Sequence, residues 1–176
     1  KAIRRQRQMC IRDRYISVRP ERYSYGLLKD SGEFVVNLTT EKLKKATDWC
    51  GVRSGRDVDK WKEMHLTEGQ ASKLDYAPII EECPVNIECK VTEIKELGSH
   101  HMFLAKVEAV QVGEEYLDEK GRLQLGKAGL LAYSHGEYLT LGDSLGTFGW
   151  SVRKNTSSKK KKKNIRKGSS SKKQKK

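Results

Sequence analysis

The 176-residue sequence is poor in the residues that staple or interrupt a fold: it has three prolines, four cysteines, three tryptophans and three phenylalanines. No two of Cys10, Cys50, Cys83 and Cys89 form a C-x-x-C step, which removes the usual thiolate pair for zinc, and no metal site is expected. There is no stretch of about eighteen apolar residues to cross a membrane, and no segment with the pattern of a secretory signal. With so few cysteines, these absences lead us to expect a reduced, cytoplasmic protein with no membrane partner. G-x-S-x-G, His-Glu-x-x-His and a believable nucleophile–base–acid set are also missing, so hydrolase chemistry has little support.

Acidic residues are absent from one region altogether. Between Arg153 and Lys176 there are thirteen Lys or Arg and no acid, as many as the formal net charge of +13. Residues 1–14 carry six bases and one acid, which leaves seventeen bases against twenty-two acids over residues 15–152, a net of −5. The expected organisation is an unrelated or disordered segment at 1–14, a mildly acidic domain at 15–152, and a disordered lysine-rich tail at 153–176 with almost no apolar side chains to repay the entropy of ordering. Such a tail suits non-specific attraction to RNA, DNA or an anionic membrane surface by counterion release, and it fits a solvated appendage with no such role at least as well. No aromatic residue lies among its lysines, so the stacking that supports single-strand binding is missing.

The domain itself is legible as alternating and apolar runs. Tyr15–Arg19 reads as a strand ending at Pro20, Tyr23–Lys29 as a short helix stopped near Ser31-Gly32, and Glu33–Leu38 as a short strand expected to be central and buried on both sides. A helix is expected to open after Thr40 and end at Cys50-Gly51, and another at 58–64 with Asp57 as its N-cap. Residues 73–83 read as irregular. Strands follow at 85–94 and 102–113, turns at Gly98-Ser99 and 118–121, and then a loop and a short strand between Tyr133 and Leu141. Cys89 falls on the same strand face as Val85, Ile87 and Val91, a core position.

Four constellations carry chemistry. Arg19, Arg22 and Ser24 meet where a strand ends and a helix begins, which suits an anionic phosphate; the same residues also fit a solvated turn. Residues 50–61 join glycines to Arg53, Ser54, Arg56 and Lys60, a pattern that fits either a ligand-closing loop or an ordinary helix entry. At Gly98-Ser99-His100-His101 the adjacent histidines must face opposite ways on a strand, which argues against a metal pair. Tyr133-Ser134-His135-Gly136-Glu137-Tyr138 sets an imidazole between two phenols, as in an aromatic pocket or a surface loop.

The order of these motifs resembles the flavin reductase-like family, the FMN-binding split β-barrel group that includes flavoredoxins. The resemblance rests on Ser17-Val18-Arg19-Pro20 with Arg22 and Ser24, Phe34–Leu38, Cys50-Gly51 followed by Ser54–Trp61, Glu88-Cys89-Lys90-Val91, Gly98-Ser99-His100 with Phe103, and Tyr133 to Gly142, and it covers roughly Tyr15–Val152. It implies a mainly β, Greek-key split barrel with short helices, a homodimer, and FMN held without a covalent bond near the dimer interface. The implied activity is that of an oxidoreductase passing electrons from NADH, NADPH or a protein donor; a flavin-binding carrier or sensor without turnover, and a basic-tailed nucleic-acid-binding protein, are the alternatives.

Carried over by position, Ser17, Arg19, Arg22 and Ser24 would form the phosphate and ribityl side, and Asn37 and Thr39 would lie close to the flavin. Ser54, Arg56, Asp57 and Lys60 would close over it, and His135 and Tyr138 would belong to the C-terminal wall. His100 matches a nicotinamide-contacting position, with Ser99 where many members have Asp. Family members carry about two further strands before the equivalent of Tyr15, so the barrel is expected to be incomplete at its N-terminus.

Overall fold

The computed structural model describes residues 2–3 and 13–153; the expectations for segment 4–12 and for the tail beyond Arg153 lie outside the described residues. The chain divides into two compact units, one ending at Leu141 and the other beginning at Gly142. The second is described as far as Arg153 and contains a 3₁₀ turn, Trp150–Val152.

The first unit is mainly β with short helices, built around one curled sheet. Strands β1 (Ala2–Ile3), β2 (Arg14–Val18), β3 (Glu33–Leu38), β6 (Val85–Leu97) and β7 (His100–Val112) make that sheet. Its spatial order is β1-β7-β6-β3, with β2 also pairing β7, and every pairing is antiparallel. The two thirteen-residue strands β6 and β7 form the spine, and register shifts at Glu88/Cys89 and Val91/Glu93 bend them, so that the sheet curls into a half-barrel.

Inside the curl lie Phe34, Val85, Ile87, Cys89, Ala105, Val107, Val110 and Val112, with Ile16, Val36, Leu38 and Leu28 packed against them. Burial pushes the Cys89 thiol up to about 11, as expected of a core residue rather than a reactive one. The outer face is covered by the segment between β4 (Glu68–Gly69) and β5 (Ile79–Ile80), which contributes Ala71, Leu74 and Ile79 to a second cluster against Val35.

This outer segment corrects the expectation for β3, which is an edge strand of the main sheet, not a central one. Its apolar run is explained by packing on both faces, Phe34 and Val36 inward and Val35 outward. A side chain ties this edge strand to β5, since the Ile80 N–H donates to Asn37 Oδ1 at 3.0 Å.

The covering segment is held by buried carboxylates. Glu88, fully buried, accepts from the Ser72 N–H at 3.0 Å, the Ser72 hydroxyl at 2.9 Å, the Lys73 N–H at 2.7 Å and Gln111 Nε2 at 2.8 Å. Glu33 accepts from the Asp75 and Tyr76 N–H groups, both at 2.9 Å, and pairs with Lys90 at 3.3 Å. Burial alone would raise the Glu33 carboxyl, but the donated N–H groups and the Lys90 ammonium outweigh it and hold it below the usual glutamate value.

Among the described residues three α-helices join these strands: α1 (Tyr23–Ser31), α2 (Lys44–Val52) and α3 (Lys60–Glu63). Gly32 ends α1 in the left-handed conformation at φ 64°, with its N–H donating to the Leu28 carbonyl, which is the role its position suggested. Helix α2 runs past the expected stop at Cys50-Gly51 to Val52. Helix α3 is shorter than expected and is capped by Asp59, not Asp57: Asp59 Oδ1 accepts from the Trp61 and Lys62 N–H groups at 3.1 and 3.3 Å. Asp57 instead sits in a turn, its N–H donating to the Ser54 carbonyl. Among the described residues no helix is long and apolar enough to cross a membrane.

The stretch expected as a loop and a single strand is a hairpin, β8 (Leu131–Ser134) and β9 (Glu137–Thr140). His135 and Gly136 both take positive φ, 51° and 88°, the handedness that a two-residue hairpin turn requires.

Candidate functional site

The start of α1, the end of α2 and the loop into α3 enclose a cleft of about 650 Å³. Arg22, Tyr23, Ser24 and Leu27 line one wall; Cys50, Gly51, Arg53 and Ser54 line another, with Val58, Asp59, Lys60 and Trp61 beyond them. The local sequence explains the geometry. Pro20 ends β2, a turn closed by the Arg22 N–H donating to the Arg19 carbonyl at 3.0 Å reverses the chain, and α1 starts with Arg22 at its N-cap.

No side chain caps this helix terminus, and its first residues, Arg22, Tyr23 and Ser24, line the cleft, which brings the positive end of the helix dipole to it. Arg22 and Arg53 reach the same space from different elements, and among the described residues neither guanidinium has a hydrogen-bond or ion-pair partner. The loop packs down on α1 at Gly55, where an added Cβ would come within 3.2 Å of the Tyr23 ring. The next residue, Arg56, holds its guanidinium 5.7 Å from the centre of that ring.

Of the residues anticipated from sequence, Arg22, Ser24, Ser54 and Lys60 share this cleft, and Arg56 reaches its edge through Tyr23. The Lys60 ammonium donates to the Cys50 carbonyl at 2.6 Å, tying α3 to the C-terminal turn of α2. Cys50 is half-buried, and its thiol is raised by that burial, against the opposing pull of Lys60.

The others stand outside the cleft. Ser17 is exposed on β2, and Arg19 turns to the β6–β7 hairpin tip, where its Nε donates to His100 Nε2 at 3.3 Å. The other ring nitrogen of His100 lies 3.0 Å from the Ser99 hydroxyl. Asn37 is taken up by Ile80, and the Thr39 carbonyl accepts from the Leu131 N–H at 3.1 Å. His135 is in the exposed hairpin turn. Tyr138 pairs with the Tyr133 ring at 5.1 Å between centroids, and partial desolvation followed by the Asp48 carboxylate raises its phenol above the usual value.

Two contributors were missing from the anticipated set. Arg53 was visible in the loop as a donor, but nothing local distinguishes it from Arg56; only the fold turns one into the cleft and lays the other on Tyr23. His101, beside the better-marked His100, meets Tyr25 of α1, its Nδ1 2.8 Å from the phenol oxygen.

The donor set, two unpaired guanidiniums, serine hydroxyls and a bare helix N-terminus beside the rings of Tyr23 and Trp61, fits a phosphate carried by an aromatic ligand such as FMN. Among the described residues no group of three or more His, Cys, Asp or Glu is arranged to hold a metal.

Residues 15–142 match the flavin reductase like domain. Flavoredoxin from Methanosarcina acetivorans is 30% identical with a TM-score of 0.70, over 79% of this chain and 75% of that one. The FMN-binding protein from Thermus thermophilus, solved with bound 1-cyclohex-2-enone, is 29% identical with a TM-score of 0.64, over 77% and 72%. An uncharacterized protein of Archaeoglobus fulgidus is 33% identical over 105 residues, 60% of this chain and 59% of its own length, so the match covers less than two thirds of that relative. The curled sheet is that of the split barrel domain.

Proposed function

The chain belongs to the flavin reductase like domain family, and from that membership and the cleft at the start of α1 we propose that it is an oxidoreductase domain holding FMN without a covalent bond. The observation that carries this reading is the convergence of Arg22, Arg53, Ser24 and the uncapped N–H groups of α1 on one space. Those donors suit a doubly charged phosphate, and Ser54 and Lys60 add polar contacts along the ligand.

Bound FMN would supply the redox chemistry, taking two electrons from NADH, NADPH or a protein donor and passing them to an acceptor. The protein's part is to bind, orient and shelter the ring. In this reading Ser17, Asn37, Thr39, Asp57, His135 and Tyr138 lie around the remainder of the flavin, His100 stands toward the nicotinamide, and the working form is a cytoplasmic homodimer. These assignments are carried over by position from the resemblance to the family to which residues 15–142 belong.

Titration of the purified protein with FMN tests the reading: saturable quenching of flavin fluorescence at one FMN per chain is expected, with Arg22→Ala weakening it. No saturable binding of FMN would overturn it. Steady-state oxidation of NADH and NADPH then separates a turning-over reductase from a carrier, which would oxidise neither without a protein donor.

A second reading has its own observation, the thirteen bases without an acid from Arg153 onward. It expects salt-sensitive, non-specific nucleic-acid binding that disappears when residues 153–176 are removed; binding that persists in residues 1–152, where bases and acids balance, would overturn it.

A further inference from the structure

Helix α1 carries the proposed phosphate donors, yet none of its nine residues is fully buried. A helix so exposed is not held in one rotation by the core alone. Leu28 packs against the inner cluster and Gly32 fixes the far end, while at the end that lines the cleft, where Tyr23 meets the loop at Gly55 and Arg56, Tyr25 attaches the helix to the main sheet. Its ring stands edge-on to Phe103, which is fully buried on β7, with centroids 5.5 Å apart, and edge-on to His101 at 5.3 Å. Ring packing of this kind tolerates sliding. The hydrogen bond between the Tyr25 hydroxyl and His101 Nδ1, 2.8 Å and partly buried, does not.

The neighbouring residues strengthen the pattern. His101 stands opposite Val18 in the β2–β7 register, one residue before Arg19, and the adjacent side chains of His100 and His101 leave the strand on opposite sides. His100 meets Arg19 and His101 meets Tyr25, so the tip of one hairpin grips the turn 19–25 at both of its ends. Arg22 and Ser24 lie between those two grips.

We propose that Tyr25 and His101 are positioning residues: their shared hydrogen bond sets the rotation of α1 and so aims Arg22, Ser24 and the helix N-terminus into the cleft. This rests on the reading of that cleft as a flavin-phosphate site. Tyr25 touches no ligand in this account, and its hydroxyl acts through the helix. Removing it leaves the ring and its packing on Phe103 in place and frees the helix to turn, so the loss falls on the phosphate alone.

The test compares the affinities of FMN and of riboflavin, which has the same ring and no phosphate, in the full chain. Tyr25→Phe and His101→Leu should each weaken FMN binding about five- to tenfold, the scale of one buried hydrogen bond, and leave riboflavin unchanged. The double variant should be no weaker than either single one. His101→Asn, whose amide can donate or accept near the position of Nδ1, should recover FMN affinity to within about twofold.

Equal losses for FMN and riboflavin would overturn the proposal in favour of a general packing role, as would failure of His101→Asn to recover binding while the protein remains folded. If Arg22→Ala weakens FMN selectively and Tyr25→Phe does not, the phosphate site stands and the positioning role falls. If Arg22→Ala has no selective effect either, the reading of the cleft itself falls.

Discussion

Two parts of this chain treat their polar groups in opposite ways. Across the outer face of the sheet, the segment from Gln70 to Tyr76 is tied down by Glu33 and Glu88, whose carboxylates each collect several donors, and Gln111 adds a bond to the Gln70 carbonyl. Around the cleft, Arg22 and Arg53 have no partner within the described residues, and the helix beside them starts without a cap. A buried carboxylate must be satisfied internally or it destabilises the fold, whereas a guanidinium facing an open cleft stays hydrated at little cost until an anion arrives. Stability is concentrated in the first region and binding capacity in the second.

That contrast is open to attack at four points. Glu88→Ala strands three donors from the covering segment and one from Gln111, and should lower unfolding free energy by about 3–4 kcal/mol in urea titrations, with FMN affinity of the folded fraction unchanged. A loss under 1 kcal/mol would mean that water readily replaces the carboxylate and that the segment is not anchored there.

Glu33 gives a pH signature. Because its folded carboxyl sits below the ordinary value of 4.5, its contribution is fully present above that value and is lost as pH falls through the lower folded value. Glu33→Gln should cost about 1–2 kcal/mol at pH 7 and progressively less below pH 4.5. Thermal unfolding of both proteins across that range checks it, and a gap that stays constant on acidification would contradict the assignment.

Asp59→Ala removes the cap of α3 and should cost about 1 kcal/mol. Because Asp59 also lines the cleft, the sharper expectation is that Asp59→Asn restores most of the stability, since an amide oxygen caps nearly as well. The smallest effect on stability belongs to Arg22→Ala and Arg53→Ala: each should shift unfolding by no more than about 0.5 kcal/mol while weakening FMN about tenfold and leaving riboflavin unaffected. Either arginine proving strongly stabilising would erase the division between the two regions.

Much of the scaffold was legible before any coordinates. Alternation placed β2, β6 and β7 to within a few residues, a short apolar run placed β3, and Ser31-Gly32 marked the end of α1 because only a left-handed residue closes the helix there. What alternation could not see was the neighbour of β3. A short apolar run is equally consistent with a central strand and with an edge strand covered by a loop, and here the loop from 70 to 80 provides the cover. The N-cap of α3 was misplaced for a similar reason, since Asp57 and Asp59 both precede the apolar face and only the turn at Ser54–Asp57 decides which one reaches the free N–H groups.

By itself, the sequence determined the class of fold, the spine of β6 and β7, the arginine-rich turn before α1, the acidic body with its basic tail, and the ordered motifs that mark the family. These are properties of short windows or of composition, where period, turn chemistry and charge act locally. Only the tertiary structure decided that Arg53 joins Arg22, that Glu33 and Glu88 hold a segment as many as forty-three residues away, and that His101 meets Tyr25 across seventy-six positions. Such partnerships depend on how far β6 and β7 bend and on which way each residue faces after the bulges, and no local preference encodes either.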